Sequence, residues 1–376
     1  MALLLLFAAA LQARADDAST LDRAVTLVER QLGDQIDDDA LYRAALDGMT
    51  AYLDRRLGTT GNAVLTAEAA EREAIAERGE RVGIGVEFAV VPLRGLVLTD
   101  VFPGGPGQRA GLAQGDFIVG LNGRPLTGLD QSAMLDLVAQ ATTAKVALDV
   151  RRQGADLRRI QVDRQRHKVS GAWQVPGSGS LTPTVRIAQL GTGTAEALRK
   201  VIAGLGEAKG LILDLRGTYS GMLEEAVAVA GAFLPSGSLV VQKMLPDGLA
   251  HPLYTGATPA WSGPVLILAD RVTAGPAEAL VMALLDHRRA RMVGTATAGR
   301  AAITSLHPLG NDLVLRLADT ALRGPSGRSW SGSGIQPDVR VEPVESSFMP
   351  SPGLIPPDLQ RDIAIQLLSA PSQTGR

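Results

Sequence analysis

From about residue 181 onward the chain alternates short apolar runs with amphipathic ones: TVRIAQL, TAEALRKVIAGLG, GLILDLRG, MLEEAVAVAGAFL, PVLILAD and PAEALVMALLDH. Runs such as GLILDL and PVLILAD have no polar face, so strands formed from them must be covered on both sides. The intervening segments carry the three-to-four-residue apolar spacing of helices. Together they predict an α/β core with a largely parallel sheet over residues 181–345. The junction PVLILADRVTAGPAEALVMALLDH, Pro264 to His287, reads as buried strand, tight turn and helix. At its bend, Gly275 suits the N-cap, Pro276 the first helical position and Glu278 the third.

The 376 residues, 45% hydrophobic and 20% charged, are enough for two or three globular domains. A formal charge of −2 gives no general attraction to nucleic acid, and no run of membrane-spanning length follows the N-terminus. The opening MALLLLFAAALQARADDAST has an apolar run and an Ala13-Arg14-Ala15 cleavage pattern, so residues 1–15 are expected to be a signal peptide. Export to the periplasm or another outside compartment follows, with no membrane span after cleavage. The absence of cysteine excludes thiolate catalysis and Cys-ligated metals, and no cofactor or metal is expected. Residues 16–80 are expected to be a helical region, on the periodicity of LDRAVTLVERQL and ALYRAALDGMTAYLD.

Residues 81–152 change character, with β runs at RVGIGVEFAVV, GLVLTDVF and KVALDVRRQ and a short helix from about Asp130 to Gln140. Within them AGLAQGDFIVGLNGRPL, Ala110 to Leu126, resembles the A-G-L-x-x-G-D-x-I-x-x-(I/L)-N-G pattern of PDZ domains. Such domains take a peptide C-terminus by β-augmentation. The resemblance implies a carboxylate loop at Gly83, Ile84 and Gly85, a receiving strand at Val86 and Phe88, and a groove wall at Met134, Leu137 and Val138. The same apolar residues would also serve simply as a small core. Residues 153–180 are expected to be a connecting strand and linker. Their arginines alternate with Leu157, Ile160 and Val162 without interleaved aromatics, which favours a solvated face over a nucleic-acid patch. Gly191-Thr192-Gly193 lacks the third glycine of a phosphate loop.

The order helical region, PDZ domain, α/β core resembles the carboxyl-terminal processing peptidases, or tail-specific proteases. LILDLRGTYSGMLEEAVAVAGAFLP resembles that family's D-L-R-x-N-x-G-G segment, and GPSGRSWSGSGIQPDVRVEP its P-S-G-R-S-I-x-G-x-G-I-x-P-D ending. The resemblance implies a serine nucleophile within S-A-S-A-S-E, a lysine base 25 residues later and a glutamine four beyond that. Gly275, Arg300 and Thr304 occupy those positions without a gap.

Each replacement removes a function. Glycine has no oxygen to attack a carbonyl, and a guanidinium stays protonated and cannot serve as base. Threonine is shorter than the glutamine it replaces. Pro276 has no N–H for an oxyanion, where losing one donor lowers rates by about 10²- to 10³-fold. Ser220 replaces one glycine of the partner segment Gly217–Gly221. Arginines outnumber lysines 32 to 5, so exchange of one for the other is ordinary at a surface position, but no lysine follows Lys243.

The expectation is therefore a catalytically degenerate relative, a pseudopeptidase that binds protein C-terminal tails or unfolded protein, or pairs with an active relative. The alternative is an active serine-type endopeptidase using Thr273, Ser220 or Ser305, with His287 or His307 as base. A third reading is an assembly factor whose PDZ unit docks another kind of partner. A C-terminal tail, 346–376, is expected to contain a helix.

Overall fold

A computed structural model of the chain describes residues 19–33, 37–57, 59, 61–152, 155–169, 171–245, 248–343 and 358–369. The expected signal peptide lies outside them. No helix among the described residues is long and apolar enough to cross a membrane.

Apolar runs with no polar face become the central sheet. Its strand order is Trp173–Gln174, Thr184–Arg186, Leu211–Asp214, Val265–Ala269, Arg291–Gly294 and Val339–Arg340. Only the first pair is antiparallel. Side chains alternate between two layers, as a pleated strand requires. Leu211, Leu213, Val265, Ile267 and Met292 pack with the helices Thr194–Ala203, Leu223–Ala230 and Pro276–Asp286. Ile212, Leu266, Leu268 and Val293 face the helix Leu359–Ser369. The expected tail helix thus supplies the second cover of the core sheet.

The region read as helical throughout contains helices at 19–32, Asp38–Leu57 and Ala67–Glu77, but also a strand. Ala63–Thr66 pairs antiparallel with Leu313–Arg316. Its apolar residues serve that pairing, which local helical spacing cannot register. Strand Leu313–Arg323 is the centre of a second sheet, with Ala302–Gly310 along one side and Ala63–Thr66 and Leu239–Met244 sharing the other. Thr66 then caps the helix Ala67–Glu77 through Ala69 N–H, 3.2 Å away.

The middle unit is a twisted antiparallel sheet ordered Val86–Val91, Gly95–Val101, Phe117–Leu121, Lys145–Arg151 and Arg158–Asp163. The last strand falls in the stretch assigned to a connector. It belongs to this sheet because Val162 and Ile160 complete the unit's apolar core. The arginines around it are largely exposed, and Arg152, Arg159 and Arg166 are ion-paired with Asp116, Asp149 and Glu80. His167 departs from the expected solvated face. It is buried beside Gly85, and burial lowers its pKa. The helix Gln131–Gln140 is capped by Asp130, whose carboxylate accepts from Ala133 N–H at 2.9 Å.

Candidate active-site cleft

The strand Val265–Ala269 feeds a turn that is tied down on every side. Thr273 Oγ1 donates to the Leu215 carbonyl at 2.9 Å, and Ala274 N–H donates to the Thr218 carbonyl at 2.9 Å. Gly275 then adopts φ 59° and ψ −119°, a region that L side chains enter only with strain. Strand-to-helix turns of this kind lift a nucleophile into reach in α/β hydrolases. Here the strained position is held by the one residue that pays no steric penalty. A Cβ built there would meet no atom within 4 Å, so the space for a side chain is open.

Glu278, with no exposed surface, organises the turn. Glycine has no capping side chain, so only half of a capping box exists: Glu278 Oε2 accepts from Gly275 N–H at 2.9 Å. The same oxygen accepts from Arg300 N–H at 2.8 Å. Oε1 accepts from Gly299 N–H at 2.7 Å and from Thr297 Oγ1 at 2.5 Å. Burial raises its pKa against the pull of those four donors. One carboxylate therefore locks the start of the helix Pro276–Asp286 to the segment 297–300, and makes Gly275 and Arg300 neighbours.

Gly275, Pro276, Arg300, Thr304 and Ser220 all line a cleft of about 530 Å³. Its opposite wall is the helix Ala67–Glu77, through Arg72, Glu73 and Glu77. Arg316 holds that wall by pairing with Glu73 and donating to the Gly61 carbonyl at 2.7 Å. Lys243 also lines the cleft, from a strand that meets Leu322 on the side opposite Ala302–Gly310. Sequence reasoning passed over it, because its approach depends on the pairing of distant strands. It lies 3.4 Å from Glu224.

The hydroxyls considered as substitutes divide clearly. Thr273 is fully buried, and its hydroxyl is committed to Leu215 and to Asp270 within its own turn. Ser220 reaches the cleft. Ser305 does have an imidazole in range, since its Oγ lies 2.8 Å from His307 Nε2, but the order of groups is wrong for a triad. Its hydroxyl donates to Asp319 at 2.5 Å, so serine stands between acid and imidazole and its single proton is already engaged. Ser305 also lies outside the residues lining the cleft, which Thr304, its neighbour on the strand, does line. His287 Nε2 bonds the Leu239 carbonyl at 2.7 Å beyond the helix's far end. The Gly191–Gly193 turn is spoken for too, because Glu225 accepts from Gly193 and Ala195 N–H at 2.8 and 3.1 Å.

In the middle unit, Val86–Val91 is an edge strand of its sheet, with the helix Gln131–Gln140 beside it. Val86, Phe88, Leu137 and Val138 are half-buried against the unit's core. Met134 is a correction: it has no exposed surface and belongs to that core, so it supports the groove from beneath. Of the expected carboxylate loop, Gly83 is in a strand paired with Gln165, Ile84 is half-buried, and Gly85 has φ 75° with Pro106 packed against it.

The opposite face of the same strand is wired to the core. Glu87 meets Arg81 and Arg186, each at 3.2 Å, and Asp100 lies 3.4 Å from Arg186. Arg186 also donates to Ile187 and Asp214 carbonyls and to Thr218 Oγ1. Burial opposes its charge, yet Asp214, Glu87 and Asp100 raise its pKa overall. Burial pushes Asp100 up to about 6, against the pull of Arg186.

The largely parallel sheet is covered on both faces and carries a cleft at a strand-to-helix turn, and a separate antiparallel sheet precedes it in the chain. Residues 182–341 match peptidase family S41, and residues 97–152 match the PDZ domain. A carboxy-terminal-processing protease of Bartonella bacilliformis is 29% identical over 315 residues, covering 81% of this chain and 70% of that protein. The carboxy-terminal processing protease CtpA of Bacillus subtilis is 23% identical over 334 residues, covering 88% and 70%. A putative S41 protease from Bacteroides fragilis shares the fold, with a TM-score of 0.61 over 85% of this chain and 90% of that one at 16% identity. Residues 182–341 thus carry a match to peptidase family S41 and residues 97–152 a match to the PDZ domain, in a chain similar over most of its length to carboxy-terminal processing proteases.

Proposed function

We propose that this chain is a non-cleaving member of its family: an exported protein whose PDZ groove takes the C-terminal tails of proteins, folded or unfolded, without cutting them. The observation that carries the reading is Gly275 at the strained turn of the cleft, with no side chain to attack a carbonyl. Three features support it. Pro276 presents no N–H beside that turn, Arg300 stands as a permanent cation where a base is needed, and Lys243 is engaged by Glu224. Pairing with an active relative would let the captured tail be cut elsewhere.

The edge strand Val86–Val91 supports the binding half of the reading, because an unpaired edge offers the main-chain groups that β-augmentation uses. The test is titration of the whole chain with C-terminal peptides and their amidated forms, followed by mass analysis of the recovered peptides. Tighter binding of free acids, with every peptide recovered intact, is the expected result. Equal binding of acid and amide would remove the tail-capture role.

The endopeptidase alternative has one observation in its favour, the 2.8 Å contact between Ser305 and His307. Asp319 on the serine rather than on the imidazole weighs against it.

A further inference from the structure

The non-cleaving reading leaves Arg300 without a task. Arg300 lines the cleft; its backbone N–H is fixed by Glu278, while its guanidinium has no hydrogen-bond or ion-pair partner among the described residues. The other cations of the cleft are engaged: Arg316 by Glu73, Lys243 by Glu224 and Arg72 by Glu68. Next to Arg300 is Gly275, whose N–H shares the same Glu278 oxygen and whose missing side chain leaves open space.

We propose that Arg300 and the vacancy at Gly275 form a carboxylate-holding slot, so that the cleft grips a peptide by an anionic group. The proposal rests on the reading that this cleft does not cut. A guanidinium is always charged, and its rigid fork of donors matches a carboxylate in a bidentate pair, which a lysine cannot imitate. It has nothing comparable to offer a neutral carbonyl. Glu77, a carboxylate of the opposite wall with no ion-pair partner among the described residues, disfavours negative charge on its own side and so confines the anion to the Arg300 side. The carboxylate has two peptide sources, the chain end and an acidic side chain.

The chain contains no cysteine, so Gly275→Cys introduces a single thiol into the slot. Its alkylation by iodoacetate, an anion, is compared with that by neutral iodoacetamide, which cancels any change in thiol acidity. Adding Arg300→Gln is expected to lower the iodoacetate-to-iodoacetamide rate ratio about tenfold, the worth of one charge-assisted pair, whereas Arg300→Lys should retain part of it. Thr304→Cys, on the cleft wall, gives the same readout if a side chain destabilises the turn at Gly275. A ratio indifferent to Arg300 at both positions overturns the slot.

N-acetyl-trialanine, its amide, and the amide with a central aspartate then compete for the thiol. Protection by the free acid assigns the slot to chain ends, and protection by the aspartyl amide assigns it to side chains. Protection by none, or equally by the neutral amide, overturns it. Cleavage by the unmodified chain would refute the parent reading and leave the rate ratio intact, so the two failures are separable.

Discussion

At residue 275 glycine brings no nucleophilic side chain to the turn and relieves its backbone of strain. The turn still takes φ 59° and ψ −119°, and glycine occupies it without strain. Gly275→Ser alone is expected to give no turnover of an unfolded protein substrate, because Arg300 cannot accept the hydroxyl proton. Gly275→Ser with Arg300→Lys should give the first measurable turnover. Adding Pro276→Ala should raise it by about 10²- to 10³-fold, by returning an N–H to the oxyanion position. Turnover from Gly275→Ser alone, measured by fragment appearance, would contradict the account. Glu278→Ala should lower stability by about 3 kcal/mol in urea unfolding, since four donors lose their acceptor in a buried site. The family resemblance pointed to Gly275 and Arg300, 25 residues apart, and both line one cleft. Capping rules pointed to Glu278 as a helix residue, but its reach to Thr297, Gly299 and Arg300 follows from the fold.

Among elements, the most consequential is the strand Val86–Val91, with an outer edge unpaired among the described residues and a charged face locked to the core through Glu87 and Arg186. Asp100 shares that junction, with a pKa of about 6 against an ordinary 3.8. An acid whose pKa rises on folding binds its proton more tightly in the folded chain. Its contribution therefore favours folding below about pH 4 and is lost as the pH rises through about 6. The two-unit shift corresponds to about 3 kcal/mol. Asp100→Asn is expected to flatten the urea-unfolding profile across that window and to stabilise the chain at neutral pH. A variant whose profile parallels the native one would refute the burial of a charged Asp100. Helices such as Pro276–Asp286, with Gly275 and Pro276 at its start, and Gln131–Gln140 were legible in sequence. Ala63–Thr66 and Arg158–Asp163 were not, because each is defined by partners in a sheet and is too short to show a period of its own.

Taken as a whole molecule, the chain carries a PDZ edge strand and a separate cleft lined by Gly275, Pro276, Arg300 and Thr304. Leu137→Asp should weaken binding of C-terminal peptides at least tenfold, since that side chain is half-buried beside the receiving strand, and should leave the cleft's anion preference unchanged. The order of domains was readable from motifs, whereas the Arg186 junction and the entry of Lys243 into the cleft required the assembled sheets. The central claim is the absence of cutting. The most direct measurement incubates the purified chain with an unfolded protein substrate and a serine-reactive probe, and reads fragments and labelled residues by mass spectrometry. The account predicts intact substrate and no specific label. Cleavage abolished by Ser305→Ala, Ser220→Ala or Thr273→Ala would contradict it and identify the group that carries the reaction.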